Sequence, residues 1–304
     1  MIKFFHFSLL FWVKYYLPKR SEELKTNENR LTNQHIEEFA IYLHHEEKSQ
    51  ATQEKYIRDV RLFQYFARGR EISKDIVVAW KQSLVQNGYA VRSINSMLAS
   101  LNSFLGFLGW HDCKVKNIRL QHQTYCAEDK ELTKAEYLCL LEASRKNEQL
   151  NLVIQTICGT GIRVSELRYF TIEAVRYGEI TVNCKSKTRT ILVPRKLQKL
   201  LLNYAKQKHI TTGTIFIGKS GKPLDRSSIW RQMKQLCKAA GVKESKVFPH
   251  NLRKLFARTF YSIEKDIAKL ADILGHSSIN TTRIYIMTTG TEHRRKIERL
   301  GLVI

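Results

Sequence analysis

Four segments with helical periodicity follow one another between residues 31 and 110, and they restrict what this chain can fold into. The first places its apolar residues at the 3.6-residue period of an amphipathic helix, at Ile36, Phe39, Ala40 and Leu43. The other three cover residues 52–69, 73–88 and 91–109. Ser73 is a good N-cap and Gly88 a good stop for the third. The pattern predicts a small all-α domain of four helices packed on one apolar face each.

A mixed pattern begins near residue 131. Thr133 and Glu136 have the spacing of a capping box, so a helix is expected to start there, and residues 151–161 form another apolar helical segment. Two alternating segments, GEITVNC and RTILVP, then flank a lysine-rich turn, which is typical of a β-hairpin. The rest is helical to the end, apart from a loop at GKSGKP. Residues 131–304 are therefore predicted to form a second domain that is mainly α with a small β-sheet, an α+β arrangement.

The remaining segments are polar or short. Residues 111–130 have no strong period and are interpreted as a linker, and residues 1–30 as a poorly ordered N-terminal extension. The extension contains an apolar stretch at residues 4–13. A membrane span needs about 20 apolar residues, and the stretch lacks the small-residue cleavage site of a signal peptide. Its role stays open.

The chain is strongly basic, with 51 Lys and Arg against 28 Asp and Glu and a formal net charge of +23. Residues 131–304 hold 32 Lys and Arg and 14 Asp and Glu, a net charge of +18, which leaves +5 for residues 1–130. Such a field favours a polyanion, either a nucleic acid or an acidic membrane surface. A basic surface without a specific partner is the alternative.

Six cysteines are scattered at positions 113, 126, 139, 158, 184 and 237. They form no CxxC pair and no Cys/His cluster with zinc-ligand spacing. Several lie in apolar runs, so they are expected to be free thiols in a reducing compartment, which favours the cytoplasm.

Four short motifs occur in order in the basic half. They are TGIRVSEL at residues 160–167, CKSK at residues 184–187, HNLR at residues 250–253 and LGHSSINTTRIY at residues 274–285. HxxR alone occurs often by chance, whereas the ordered set, with His276 nine residues before Tyr285, is specific. This set resembles the tyrosine recombinase (phage integrase) family, in its simple two-domain, Xer-like form. The resemblance covers about residues 131–290. Residues 31–110 are similar in size and position to the family's SAM-like core-binding domain, which binds DNA.

The residue types suit phosphoryl transfer to a tyrosine. A phosphorane-like state carries extra negative charge, which the fixed guanidinium groups of Arg163 and Arg253 could stabilise. His250 and Arg253 share a helix face. A tyrosine hydroxyl has a pKa near 10 and needs cationic neighbours to react at neutral pH. His276 could donate to a phosphate oxygen or take the proton of Tyr285.

A hairpin lysine could protonate the leaving 5′ oxygen. Lys185 matches the family's catalytic lysine, and Lys187 is its rival. Each candidate also has a structural alternative: Arg163 could pair with Glu166, His250 could cap a helix, His276 could end one, and Tyr285 could be a packed aromatic. Tyr261 lies near the motifs but lacks the family spacing.

The resemblance implies a site-specific recombinase or integrase that cuts and rejoins DNA through a 3′-phosphotyrosine. It also implies a clamp of two domains on double-stranded DNA, a homotetramer on paired recombination sites, no cofactor, no metal and no membrane partner. An accessory DNA-bending or directionality factor can take part. Rivals are a type IB topoisomerase-like enzyme and a catalytically silent DNA-binding protein. The DNA site, and the choice between mobile-element integration and chromosome dimer resolution, stay open.

Overall fold

The computed structural model describes residues 29–120, 125–126, 128–184, 187–218 and 220–302, with the backbone alone at Cys184 and Lys187. The chain divides into two compact units, one up to residue 122 and one from residue 123. The predictions for residues 1–28, including the apolar stretch 4–13, lie outside the described residues. Within these ranges no helix is long and apolar enough to cross a membrane.

Four α-helices make up most of the described part of the first unit: α1 (Asn33–His45), α2 (Gln50–Ala67), α3 (Lys74–Gln86) and α4 (Val91–Phe107). The hydroxyl of Ser73 accepts a hydrogen bond from the Ile76 amide at the start of α3, as the sequence predicts. Gly88 follows the end of α3 with a φ of +73°. Phe39, Phe63, Trp80 and Phe104 lie in a common buried core, to which each helix contributes one of these aromatic rings.

The polar segment after α4 packs on the first unit. Cys113 and Val115 are buried in its core. The amide side chain of Asn102 bonds both the N–H and the carbonyl of Val115, and that of Asn95 does the same at Ile118. Asparagine side chains that bond its backbone, together with two buried side chains, therefore fix residues 113–118 on this unit.

In its described residues, the second unit is helical with one two-stranded sheet. Its helices are α5 (Lys134–Ala143), α6 (Glu148–Thr160), α7 (Ile172–Tyr177), α8 (Arg195–Gln207), α9 (Arg226–Ala240), α10 (Pro249–Glu264), α11 (Ile267–Leu274), α12 (Ile279–Tyr285) and α13 (Gly290–Glu298). Strands β1 (Glu179–Cys184) and β2 (Lys187–Leu192) pair antiparallel, from Glu179 opposite Leu192 to Cys184 opposite Lys187. The predicted capping box at Thr133 and Glu136 is present. The predicted fold class, mainly α with a small sheet, is confirmed.

Two glycines end the helices that lead into the motifs. Gly161 ends α6 with a φ of +65°, and a Cβ there would lie 2.3 Å from the ring of Phe256. Gly275 ends α11 with a φ of +63°, and a Cβ there would lie 2.6 Å from Cδ of Arg189. Both the left-handed backbone and the close approach exclude a side chain. These turns place Arg163 three residues after the end of α6 and His276 two residues after the end of α11.

Candidate active site

Tyr285 is the last residue of α12, and its side chain is buried against two histidines. Its relative exposure is 8%. Its ring centroid lies 5.0 Å from that of His250 and 4.8 Å from that of His276. Its hydroxyl is 3.5 Å from Nδ1 of His250, and the guanidinium of Arg253 lies over its ring at 5.9 Å. The structure therefore brings together residues that are up to 35 positions apart in the sequence.

Arg253 is buried and bound by the two glycine turns. Its Nη1 donates to the carbonyl of Gly161 at 2.6 Å, and its Nη2 donates to the carbonyl of Leu274 at 2.6 Å. Burial, followed by the neighbouring charge of Arg163, lowers the pKa of Arg253 to about 10. It remains a cation at neutral pH. Its Nε–H is buried and has no hydrogen-bond partner among the described residues.

Arg163 is held by hydrogen bonds from its backbone N–H and from its guanidinium, and it is partly open to solvent. Its backbone N–H donates to Glu166 at 2.7 Å, and its Nη1 donates to the same carboxylate at 3.0 Å. Its Nη2 donates to the carbonyl of Gly275 at 3.1 Å. The side chain is 39% exposed, whereas that of Glu166 is 1% exposed. The predicted pair between the two is present, and it leaves guanidinium surface accessible.

His276 is fixed in one tautomer by its two partners. Nη2 of Arg253 lies 3.0 Å from its Nε2, and the hydroxyl of Thr282 lies 2.9 Å from its Nδ1. A guanidinium can only donate, so Nε2 accepts and Nδ1 carries the proton. Burial, then Arg253 and Arg163, lower the pKa of His276 to about 4. The imidazole is therefore neutral at pH 7, and both nitrogens are engaged.

His250 is the second residue of α10, and its ring packs against that of Tyr285. Burial, then Lys254 and Arg253, lower the pKa of His250 below its ordinary value of 6.5. A neutral His250 can accept a proton at Nδ1, the nitrogen nearest the tyrosine hydroxyl. The site thus contains a hydroxyl next to a neutral base.

A cavity of about 320 Å³ is lined by Arg163, His250 and Arg253. Its walls combine cationic and aromatic side chains with the backbone of the first motif, and they include Arg163, Val164, Ser165, Arg226, Trp230, Phe248, His250 and Arg253. Three arginines and a histidine around one opening form a site suited to a phosphate group.

The two lysines predicted for protonation of the leaving oxygen are Lys185 and Lys187. Lys185 lies outside the described residues, and the side chain of Lys187 lies outside them as well. The rival tyrosine, Tyr261, packs on the same small cluster as Tyr285. The ammonium of Lys265 lies over the ring of Tyr261, 5.7 Å from the ring centroid.

Sequence reasoning missed four residues at this site. Arg189, Arg226, Trp230 and Thr282 are in none of the predicted roles. Thr282 lies inside the last motif, so its spacing of six residues from His276 is a usable signal. Arg189 follows the hairpin lysines by two to four residues, but its partners are 23 and 84 positions away. Arg226 and Trp230 become recognisable only through the cavity they line.

Comparisons with known proteins agree with the motifs. Residues 130–291 match the phage integrase family, and residues 36–112 match its N-terminal SAM-like domain. Tyrosine recombinase XerA of Pyrococcus furiosus is 30% identical, covering 91% of this chain and 97% of that protein. Tyrosine recombinase XerD of Staphylococcus aureus is 27% identical, covering 86% and 96%.

Solved structures show the same fold. A crystal structure of XerA recombinase, 25% identical, covers 90% of this chain and all of its own, with a TM-score of 0.51. A lambda integrase (75–356) dimer bound to a COC′ core site, 18% identical, covers 86% and 96% with a TM-score of 0.69. The chain belongs to the phage integrase family, and the recognition as a tyrosine recombinase made from the four motifs is confirmed.

Proposed function

We propose that this site-specific tyrosine recombinase cleaves and rejoins duplex DNA with Tyr285 as the nucleophile. One observation carries the assignment: the Tyr285 hydroxyl lies 3.5 Å from His250, which lines a cavity together with Arg163 and Arg253. The reacting atoms would be the tyrosine oxygen, the scissile phosphorus and the 5′ oxygen of the next nucleotide. The DNA is the substrate, and the residues described supply the chemistry.

The proposed step is a single displacement at the scissile phosphorus. The proton of the Tyr285 hydroxyl passes to Nδ1 of His250 while the tyrosine oxygen bonds to phosphorus. The bond from phosphorus to the 5′ oxygen breaks, and a hairpin lysine, Lys185 or its rival Lys187, protonates that oxygen. The products are a 3′-phosphotyrosine and a free 5′ hydroxyl. Because the new phosphodiester keeps the bond energy, a second 5′ hydroxyl can reverse the step without ATP.

The arginines would stabilise the charge that develops on the phosphate. Arg163 presents an accessible guanidinium edge, and the buried Arg253 contributes its fixed positive charge to the same cavity. Preorganised donors of this kind act most strongly where water is excluded. His276 would act through Arg253, since its Nε2 accepts from that guanidinium. This assigns the proton transfer to His250 and the orientation of Arg253 to His276.

Double-stranded DNA is the partner that the charge supports. The net charge of +18 over residues 131–304 would displace counterions from the phosphates. In our proposal residues 31–110 are the core-binding domain and residues 131–304 the catalytic domain. Assembly as a tetramer on paired sites is part of the proposal. It is supported by a similar fold, 19% identical with a TM-score of 0.66, in a lambda integrase tetramer bound to a Holliday junction.

The cellular setting is proposed from the thiols. Cys113, Cys126, Cys139, Cys158 and Cys237 are free in the structure. Free thiols are typical of a reducing compartment, so we place the protein in the cytoplasm. Mobile-element integration and chromosome dimer resolution both fit a two-domain recombinase, and an accessory DNA-bending factor would be compatible with either.

Covalent capture tests the nucleophile. The full chain is incubated with a pool of randomised duplexes that each carry a nick, so that the short downstream fragment with the free 5′ hydroxyl diffuses away and the adduct accumulates. The parent and Tyr261→Phe are expected to form a denaturant-resistant protein–DNA adduct, and Tyr285→Phe to form none. An adduct with Tyr285→Phe would assign the wrong tyrosine. No adduct with any of the three would contradict strand cleavage itself.

The captured duplexes also separate the enzyme from its rival. A recombinase enriches one sequence from the pool, whereas a topoisomerase-like enzyme forms adducts with little preference. Sequencing the trapped DNA decides between these two outcomes, and the enriched duplex then serves as the substrate for further tests.

A further inference from the structure

Arg189, on β2, joins three parts of the site that are far apart in the sequence. Its Nη2 donates to Oε2 of Glu166 at 2.5 Å, and its Nη1 donates to the carbonyl of Ile273. The side chain is 13% exposed. A single planar guanidinium therefore ties the hairpin to the first motif and to the last turn of α11.

Glu166 is shared between two arginines. Its carboxylate accepts from the backbone and guanidinium of Arg163 and from Arg189. A buried carboxylate is costly unless its charge is paired and its oxygens are hydrogen-bonded. Removing Arg189 would leave Glu166 with Arg163 as its one cationic partner among the described residues, and would free the carboxylate to pull Arg163 out of position.

The stem of Arg189 also packs on the turn that precedes His276. A Cβ on Gly275 would lie 2.6 Å from Cδ and 2.9 Å from Nε of Arg189. The carbonyl of the same Gly275 accepts from Nη2 of Arg163. The side chain of Arg189 thus fills the space beside the turn, and the carbonyl of Gly275 in the same turn binds Arg163.

We propose that Arg189 is a positioning residue for strand cleavage: it sets the register between Glu166, the turn before His276 and strand β2 of the hairpin. It acts through Arg163 and His276 and does not itself contact the phosphate. This proposal rests on the proposed function. A displacement of about 1 Å in such a site can cost about 10²-fold in rate, so loss of the link is expected to slow cleavage without removing any reacting group.

Arg189 has an electrostatic effect that gives the test a second readout. The groups that act on His276 are Arg253, Arg163, Arg189 and His250, and each of them lowers the pKa of that imidazole. Replacing Arg189 by a neutral side chain should therefore raise the pKa of His276. Replacing it by lysine should leave the pKa nearly unchanged, because the charge is kept.

The experiment compares three variants of the full chain. Arg189→Met removes charge and hydrogen bonds, and Arg189→Lys keeps a cation but cannot donate from one rigid fork to Glu166 and Ile273 together. Arg176→Met is the matched control, because Arg176 is an exposed arginine of the same unit. Three quantities are measured: the single-turnover rate of adduct formation on the captured duplex, the NMR titration of His276, and the thermal unfolding midpoint.

We expect Arg189→Met and Arg189→Lys to form the adduct at least about tenfold more slowly than the parent, while Arg176→Met is unchanged. We also expect the pKa of His276 to rise in Arg189→Met alone. An Arg189→Lys variant that is folded and cleaves within about threefold of the parent overturns the proposal. An Arg189→Lys variant that unfolds at the assay temperature also overturns the proposal, because Arg189 would then act through global stability.

The remaining outcomes separate the role of Arg189 from the proposed function. A His276 titration identical in the parent and in Arg189→Met shows that Arg189 is not coupled to that histidine, and it overturns the proposal even if the rate falls. A parent that forms no adduct contradicts the proposed function, which the inference about Arg189 requires. If the parent and Arg189→Lys cleave equally fast, the role of Arg189 is contradicted and the proposed function is not.

Discussion

The hydroxyl of Tyr285 lies 3.5 Å from Nδ1 of His250. This separation is at the outer limit of a hydrogen bond, and catalytic contacts of unliganded sites often tighten when the substrate binds. Because the pKa of His250 is lowered by burial and by the nearby cations Lys254 and Arg253, the ring is neutral at pH 7 and can take the tyrosine proton.

His250→Gln should therefore slow strand cleavage by about 10²- to 10⁴-fold, the range typical of a lost general base. Binding of the captured duplex should change little, since the glutamine removes no positive charge at pH 7. The rate is measured in a single turnover, with Tyr261→Phe as the control for a change in the same unit. A His250→Gln rate within about tenfold of the parent would exclude His250 as the base.

Arg163→Ala and Arg253→Ala should each reduce the rate of adduct formation by about 10²- to 10³-fold or more, as loss of one preorganised donor does. They should differ in stability. Arg253 is buried and bonds two backbone carbonyls, whereas Arg163 is partly exposed. The thermal midpoint should fall more for Arg253→Ala, because it leaves buried carbonyls unpaired. Equal midpoints with unchanged rates would contradict both roles.

The hairpin lysine can be identified by changing the leaving group. A duplex with sulfur at the bridging 5′ position releases a thiolate, which needs no proton because thiols have a pKa near 8.5. Lys185→Ala should cleave the normal duplex slowly and the 5′-sulfur duplex at close to the parental rate. Lys187→Ala should cleave both at the parental rate. The opposite pattern would assign the role to Lys187.

The structure explains which of these features the sequence could predict. The capping box at Thr133 and Glu136 and the start of α3 at Ser73 depend on neighbouring residues, so their spacing is readable. The motif residues Arg163, His250 and Tyr285 were found together because the resemblance supplied their order. Local patterns carry no information on contacts 23 or 84 positions apart, which is why Arg189 was missed.

The segment after α4 shows a second limit of sequence reasoning. The interpretation of residues 111–130 as a linker rested on the absence of an apolar period. In the structure, Asn95 and Asn102 bind the backbone of this segment at Val115 and Ile118. These hydrogen bonds go to main-chain atoms and do not depend on the side chains of residues 113–118. The periodicity of the sequence therefore does not reveal them.

The lowered pKa of His276 predicts how stability depends on pH. The folded protein binds a proton at His276 only near pH 4, whereas the unfolded chain does so near 6.5. Between these values the unfolded state binds more protons, so the free energy of unfolding falls as the pH is lowered from 6.5 to about 4. His276→Gln should show a shallower decrease over that window in denaturant titrations. Equal slopes for the two proteins would contradict the lowered pKa.

The last prediction concerns the C-terminal tail. Helix α13 buries none of its residues, and beyond it Leu300 and Leu302 are 62% and 83% exposed. A nine-residue helix has little stability of its own in water, and an exposed apolar end gains free energy when a protein surface covers it. Docking on the tail's own unit would have buried Leu300 in the single chain.

We therefore expect the tail to dock on an adjacent subunit, so that deletion of residues 292–304, or Leu300→Ser with Leu302→Ser, preserves the thermal midpoint and single-site binding. Assembly on paired sites should be lost in gel-shift series. Leu138→Ser, a change at another exposed leucine of the same unit, is the control and should assemble as the parent does. A tail variant that assembles and recombines normally would exclude docking in trans, and one that unfolds would show that the tail belongs to its own core.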